Sequence, residues 1–133
     1  TYLAAHGAPG SAQELGRHAL IAGDTSLGHL PAVRWLARHA PDEAVVLRCN
    51  SWLAQLAAAR AGLGLAALPC FLADPEPALE RVLPPEPALA SELWLLTHPD
   101  LRRTARVRAF MESLAGGLRR ERARLEGRAR RAS

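Results

Sequence analysis

Apolar residues recur along this chain in two rhythms, and the places where one gives way to the other mark the elements. Leu53, Leu56, Ala57 and Leu63 return near the helical period behind Asn50-Ser51, a pair able to cap a helix start. Gly62 and Gly64 stop that helix, and Leu65-Ala66-Ala67-Leu68 then runs into Pro69. A short, fully apolar strand after a glycine turn belongs in a sheet covered on both faces. Upstream, Tyr2 to His6 predicts a short helix ended by Gly7 and Pro9, and Ser11-Ala-Gln-Glu14 has capping-box spacing. His18-Ala-Leu-Ile-Ala22 predicts a strand, followed by the turn Gly23-Asp24-Thr25-Ser26. Val33, Leu36 and Ala40 give residues 32–39 one apolar helical face, with Arg34 and Arg38 paired on the other, until Pro41 ends it. Ala44 to Cys49 predicts a second strand.

The second half is broken by proline. Pro69 to Asp74 allows one helical turn, and prolines at 75, 77, 84, 85 and 87 exclude a long helix while bracketing a strand from Leu79 to Leu83. Glu92-Leu-Trp-Leu-Leu-Thr-His98 predicts a further strand, and Pro99-Asp100 a turn. The last helix is expected over 104–118, with Val107, Phe110, Met111 and Leu114 as its buried stripe. The predicted order α, β, α, β, α, β, β, β, α with short links is an α/β arrangement in which right-handed crossovers lay helices on a small sheet.

Composition changes this picture in three places. With 133 residues, one domain or a piece of one is expected. A 49% apolar share, a mean hydropathy of −0.05 and no run of 18 apolar residues predict a soluble protein and no membrane partner. The opening at Thr1, without Met or the regions of a signal peptide, leads us to expect a cytoplasmic protein with a truncated start. The net charge of +4 is concentrated at one end: residues 119–133 hold seven arginines against Glu121 and Glu126, a net of +5 that leaves −1 for the rest. A near-neutral body with a basic tail is not the footprint of a nucleic-acid-binding domain, so 119–133 is expected to be an arginine-rich, solvated or disordered tail.

Catalytic and metal chemistry find little to stand on. Cys49 and Cys70 lie far apart in sequence with no Cys-x-x-Cys and no nearby histidine pair, and both sit in apolar company. They read as structural thiols in a reducing compartment, not as a zinc site. There is no Gly-x-Ser-x-Gly elbow, His-Glu-x-x-His or Walker loop. Gly62-Leu-Gly64 stands after a helix and before a strand, the reverse of the dinucleotide fingerprint. Histidines 6, 18, 29, 39 and 98 are scattered, and only His29, in the loop before Pro31, merits a test. The chain is therefore expected to be neither an enzyme nor a cofactor carrier.

Taken together, Ala61-Gly62-Leu63-Gly64-Leu65 with Leu68-Pro69, Tyr2-Leu3-Ala4 with Pro9, Leu15 with His18-Ala-Leu-Ile21, and Glu92-Leu-Trp-Leu-Leu-Thr-His-Pro-Asp100 with Arg106-Val-Arg-Ala-Phe110 form a recognisable series. The series resembles the effector-binding domain of LysR-type transcriptional regulators over about residues 1–116. The resemblance implies a fold like the type 2 periplasmic binding proteins. It makes residues 1–88 the second effector subdomain and 89–118 the strand and helix that return to the first, which would leave apolar surface on that strand and helix. It also implies a small polar or anionic metabolite as ligand, a homo-oligomer, and DNA contact only through a helix-turn-helix domain with no counterpart here. The loops after the first two strands would face the effector, making Thr25, Ser26, Asn50 and Ser51 the candidate binding residues, with Pro69 and Cys70 weaker ones. In open α/β sheets, ligands do bind beyond the carboxyl ends of strands, where helix N-termini offer N–H groups to anions. For Asn50 and Ser51 the competing role is plain helix capping, and for Thr25 and Ser26 an ordinary turn. A fragment of a solute-binding protein, or a dimerisation module without ligand, are the alternative readings.

Overall fold

A computed structural model describes residues 2–128. Its centre is a three-stranded, all-parallel sheet in the order β2-β1-β3: β1 is Leu20–Gly23, β2 Val45–Cys49 and β3 Leu65–Ala66. Helix α1 (Tyr2–His6) precedes β1, α2 (Pro31–His39) joins β1 to β2, and α3 (Trp52–Arg60) joins β2 to β3. The two connections run in opposite directions across the sheet. With right-handed crossovers they cover opposite faces, which is why the central strand is buried along its whole length.

Alternation along β1 divides the interior in two. Leu20 and Ala22 pack with Leu15, Trp35 and Leu36, so this side of the sheet is filled by α2 and the turn before β1. Ile21, also 0% exposed, points the other way, toward the face that α3 covers with Gln55 and Ala58. Helix α1 is docked by one side chain: the Tyr2 hydroxyl accepts from the Ala19 N–H at 2.8 Å, and its ring stacks on His6. The register of β1 on β2 slips between Leu20 and Ile21, leaving Val46 without a partner and exposed at the sheet edge.

Gly64 lets α3 and β3 come so near to β1. The Leu65 N–H donates to the Ala19 carbonyl at 2.9 Å, and a Cβ on Gly64 would stand 2.2 Å from that same oxygen. Any larger residue would push β3 off the sheet.

After the single turn α4 (Cys70–Ala73), the proline-rich segment crosses back over the molecule, and Leu83 and Leu89 rest on the core. Residues 79–83 form no strand, contrary to the expectation from sequence. Their N–H donors are intact, but no strand among the described residues lies beside them to pair with, and the Leu79 N–H donates back to the Glu76 carbonyl at 3.2 Å. Residues 92–98 likewise form no strand and join no sheet, and Leu93, Trp94 and Leu96 are 66%, 70% and 84% exposed.

The helix expected at 104–118 is present as α5 (Ala105–Arg120). Its apolar stripe is not buried, however: Phe110 is 64% exposed, and no residue of α5 reaches the interior. Residues 92–98 and α5 together therefore carry exposed apolar surface. The basic end also departs from expectation, because the chain continues as helix α6 (Arg122–Leu125) and Gly127 is buried. The part of the expected tail at 129–133 lies outside the described residues.

Candidate functional site

Parallel pairing brings two of the predicted loops to one end of the sheet. Gly23 pairs with Cys49 at the last position of β1 and β2, so the residues that follow each strand emerge side by side. The Asp24 N–H donates to the Cys49 carbonyl at 3.1 Å, which ties the two loops directly. Arg48 adds a second brace: it reaches the Gly23 carbonyl at 3.4 Å and pairs with Asp42.

Within this end the two loops are satisfied differently. Asp24 caps the 3-10 turn Thr25–Leu27: its Oδ1 accepts from the Ser26 N–H at 2.9 Å and from the Ser26 hydroxyl at 2.6 Å. The turn is thereby set by its own side chains, and Thr25 and Ser26 stand exposed on its outer side. Ser51 occupies the N-cap position of α3 with extended backbone (φ −137°, ψ 130°), yet its side chain makes no capping hydrogen bond. The capping role expected for Asn50 and Ser51 is thus not filled by Ser51, and the first N–H groups of α3 gain nothing from its hydroxyl. Asn50 is exposed and Ser51 half-buried. The β1–β2 end accordingly presents the Thr25 and Ser51 hydroxyls, the Asn50 amide and a helix start carrying partial positive charge, with the Ser26 hydroxyl already donated to Asp24, a surface with donors for an oxygen-bearing or anionic ligand.

One residue near this end escaped the sequence reading. Gln55, one turn into α3, is 1% exposed, and its Nε2 has no hydrogen-bond partner among the described residues. A buried amide donor left unpaired costs about 1–3 kcal/mol. Position carried the only signal: Gln55 falls four residues after Ser51 and three before Ala58, on the stripe of α3 that faces the sheet.

The weaker candidates lie elsewhere. Pro69 and Cys70 follow β3 and line a broad groove of about 1680 Å3 that runs along the free edge of β3 beneath the proline-rich segment, away from Thr25, Ser26, Asn50 and Ser51. A shallower groove of about 520 Å3 lies between residues 95–97 and α5, with Arg102, Arg103 and Arg108 among its walls. Among the described residues no group of three or more His, Cys, Asp and Glu could hold a metal ion, and no helix is long and apolar enough to cross a membrane.

The decisive comparison is with protein families: the model of the LysR substrate binding domain matches residues 1–119. The chain belongs to the LysR substrate-binding domain family. Domains of this family sense effectors within transcription regulators. They are regulatory rather than catalytic and are generally oligomeric. Family membership brings with it a fold like that of the type 2 periplasmic binding proteins, and the small parallel sheet with helices on both faces is consistent with it. Neither the curated proteins nor the solved structures compared with the chain give a match.

Proposed function

We propose that this chain is the ligand-sensing part of a bacterial LysR-type regulator, binding a small polar or anionic metabolite at the joined ends of β1 and β2. Residues 1–88 then act as the second effector subdomain and 89–118 as the segment returning to the first. Thr25, Ser26, Asn50 and Ser51 contact the ligand from the second subdomain's side of the cleft. Binding favours one arrangement of the two subdomains, and that preference is relayed to a DNA-binding domain outside residues 1–133. A ligand shifts such an equilibrium only by the difference in its affinity for the two states.

The observation that carries this reading is the pairing of Gly23 with Cys49, which sets a self-satisfied turn beside a helix start without a side-chain cap. Thermal unfolding in the presence of small carboxylates and organic phosphates tests it. A ligand at about a hundred times its Kd stabilises the folded state by about 2.7 kcal/mol. Stabilisation by at least one compound, reduced in Ser51→Ala and Asn50→Ala, is the expected result. A chain unmoved by the whole panel argues against sensing by these residues.

A second reading, dimerisation without ligand, draws on the exposure of Leu93, Trp94, Leu96 and Phe110. Apolar surface of this extent is favoured to associate, by roughly 25 cal/mol for each Å2 covered. It predicts a dimer by light scattering that Trp94→Ser combined with Leu96→Ser returns to monomer. A monomeric parent chain rejects it.

A further inference from the structure

The turn at residues 121–128, beyond the family match at 1–119, is held against α4 and the segment after it by specific contacts. Arg81 is its centre. Nε donates to Asp74 Oδ1 at 3.2 Å, Nη2 donates to the other carboxylate oxygen, and Nη1 donates to the Gly127 carbonyl at 2.9 Å. The Arg81 and Asp74 side chains are only 18% and 15% exposed, so moving Gly127 away would strand a half-buried guanidinium donor.

Gly127 itself admits no substitute. Its φ of +66° is left-handed, and a Cβ there would stand 2.6 Å from Cys70 Sγ and 3.0 Å from Arg81 Nη2. Helix α6 packs against α4, and Leu125, Glu126 and Arg128 form one wall of the groove beside β3. Helix α5, by contrast, rests mainly on the turn before it and on α6 after it. The route from α5 back to the sheet therefore runs through residues 121–128.

We propose that residues 121–128 are a latch: Arg81, Asp74 and Cys70 seat Gly127, and the seat ties the far end of α5 to the sheet region. With the latch closed, the arm formed by residues 92–120 is held at both ends; with it open, the arm swings from residues 90–92 alone. For effector sensing, a consequence that rests on the function proposed above, the latch limits how far the returning helix can move relative to the sheet.

Cys70 reports on the latch directly, because a seated Gly127 lies against the side chain of this half-buried residue. The test is pulsed alkylation of the 133-residue chain with N-ethylmaleimide, read by peptide mass spectrometry, with Cys49 as internal reference. Local opening should accelerate Cys70 about tenfold or more in Gly127→Val, in Arg81→Met and in a chain ended after Arg120, while the Cys49 rate stays constant. Equal Cys70 rates in the parent and shortened chains overturn the latch. So does a joint rise at both cysteines in the shortened chain, which would make 121–128 part of the global fold and not a separable contact. No effector enters the assay, so its result is independent of whether the chain binds a metabolite.

Discussion

Strand β1 and the segment 92–98 have the same kind of sequence and opposite fates. Leu20 and Ile21 are entirely buried, whereas Leu93, Trp94 and Leu96, in the more strongly apolar run, are mostly exposed. The difference lies in partners. β1 has β2 on one side, β3 on the other and helices over both faces, while 92–98 has no ladder at all. An apolar run states that a segment needs cover, and what covers it is decided by residues far away in sequence or outside the chain. The largest effect to expect from this contrast is on stability. Leu20→Ala should lower the unfolding free energy by about 3–5 kcal/mol, a large part of the roughly 5–15 kcal/mol a domain of this kind possesses. Leu96→Ala should change it by no more than about 0.5 kcal/mol. Urea melts of the two variants decide the matter, and similar losses would mean that the arm is as well packed in solution as the sheet.

The same contrast explains what was legible in the sequence. Elements fixed by local signals appear where the pattern puts them: α1 ends at Gly7, α2 starts at Pro31, and α3 stops before Gly62, whose φ is +81°. Elements needing a distant partner do not. Residues 79–83 and 92–98 have strand composition, but neither meets a strand to pair with among the described residues. β3 shrinks to Leu65–Ala66 because its pairing with β1 covers only Leu20 and Ile21. Local signals also mislead when two acceptors compete. The capping-box spacing at Ser11 and Glu14 is present, yet Ser11 makes no side-chain cap and Glu14 accepts instead from the Gly10 N–H at 2.7 Å. The seating of Gly127 was invisible because it depends on Arg81, 46 residues away, and a run of arginines reads as solvated when its glycine is not seen against Cys70. Of the candidate site, the juxtaposition of the two loops follows from the order of two parallel strands. The contrast between a capped and an uncapped loop does not, because it turns on side-chain rotamers.

That capped and uncapped pair repeats, within one end of the sheet, the contrast between partnered β1 and the unpartnered arm. Asp24 holds both the N–H and the hydroxyl of Ser26, so Asp24→Ala removes a filled cap and should cost about 1 kcal/mol in a urea melt.

Ser51 stands at an equivalent position before α3 but holds nothing, so Ser51→Ala should leave stability within about 0.3 kcal/mol of the parent. This is the smallest effect predicted, and it separates the two roles open to the residue. A hydroxyl that caps only part of the time in solution would show itself as a loss approaching that of Asp24→Ala. A hydroxyl kept free for a ligand would show no loss in the unliganded chain and a weaker thermal shift with whichever carboxylate or phosphate stabilises the parent. Stability and ligand response should therefore move together for Asp24→Ala, whose turn carries Thr25 and Ser26, and should come apart for Ser51→Ala. If Ser51→Ala lowers both by the same proportion, its hydroxyl serves the helix and not the effector.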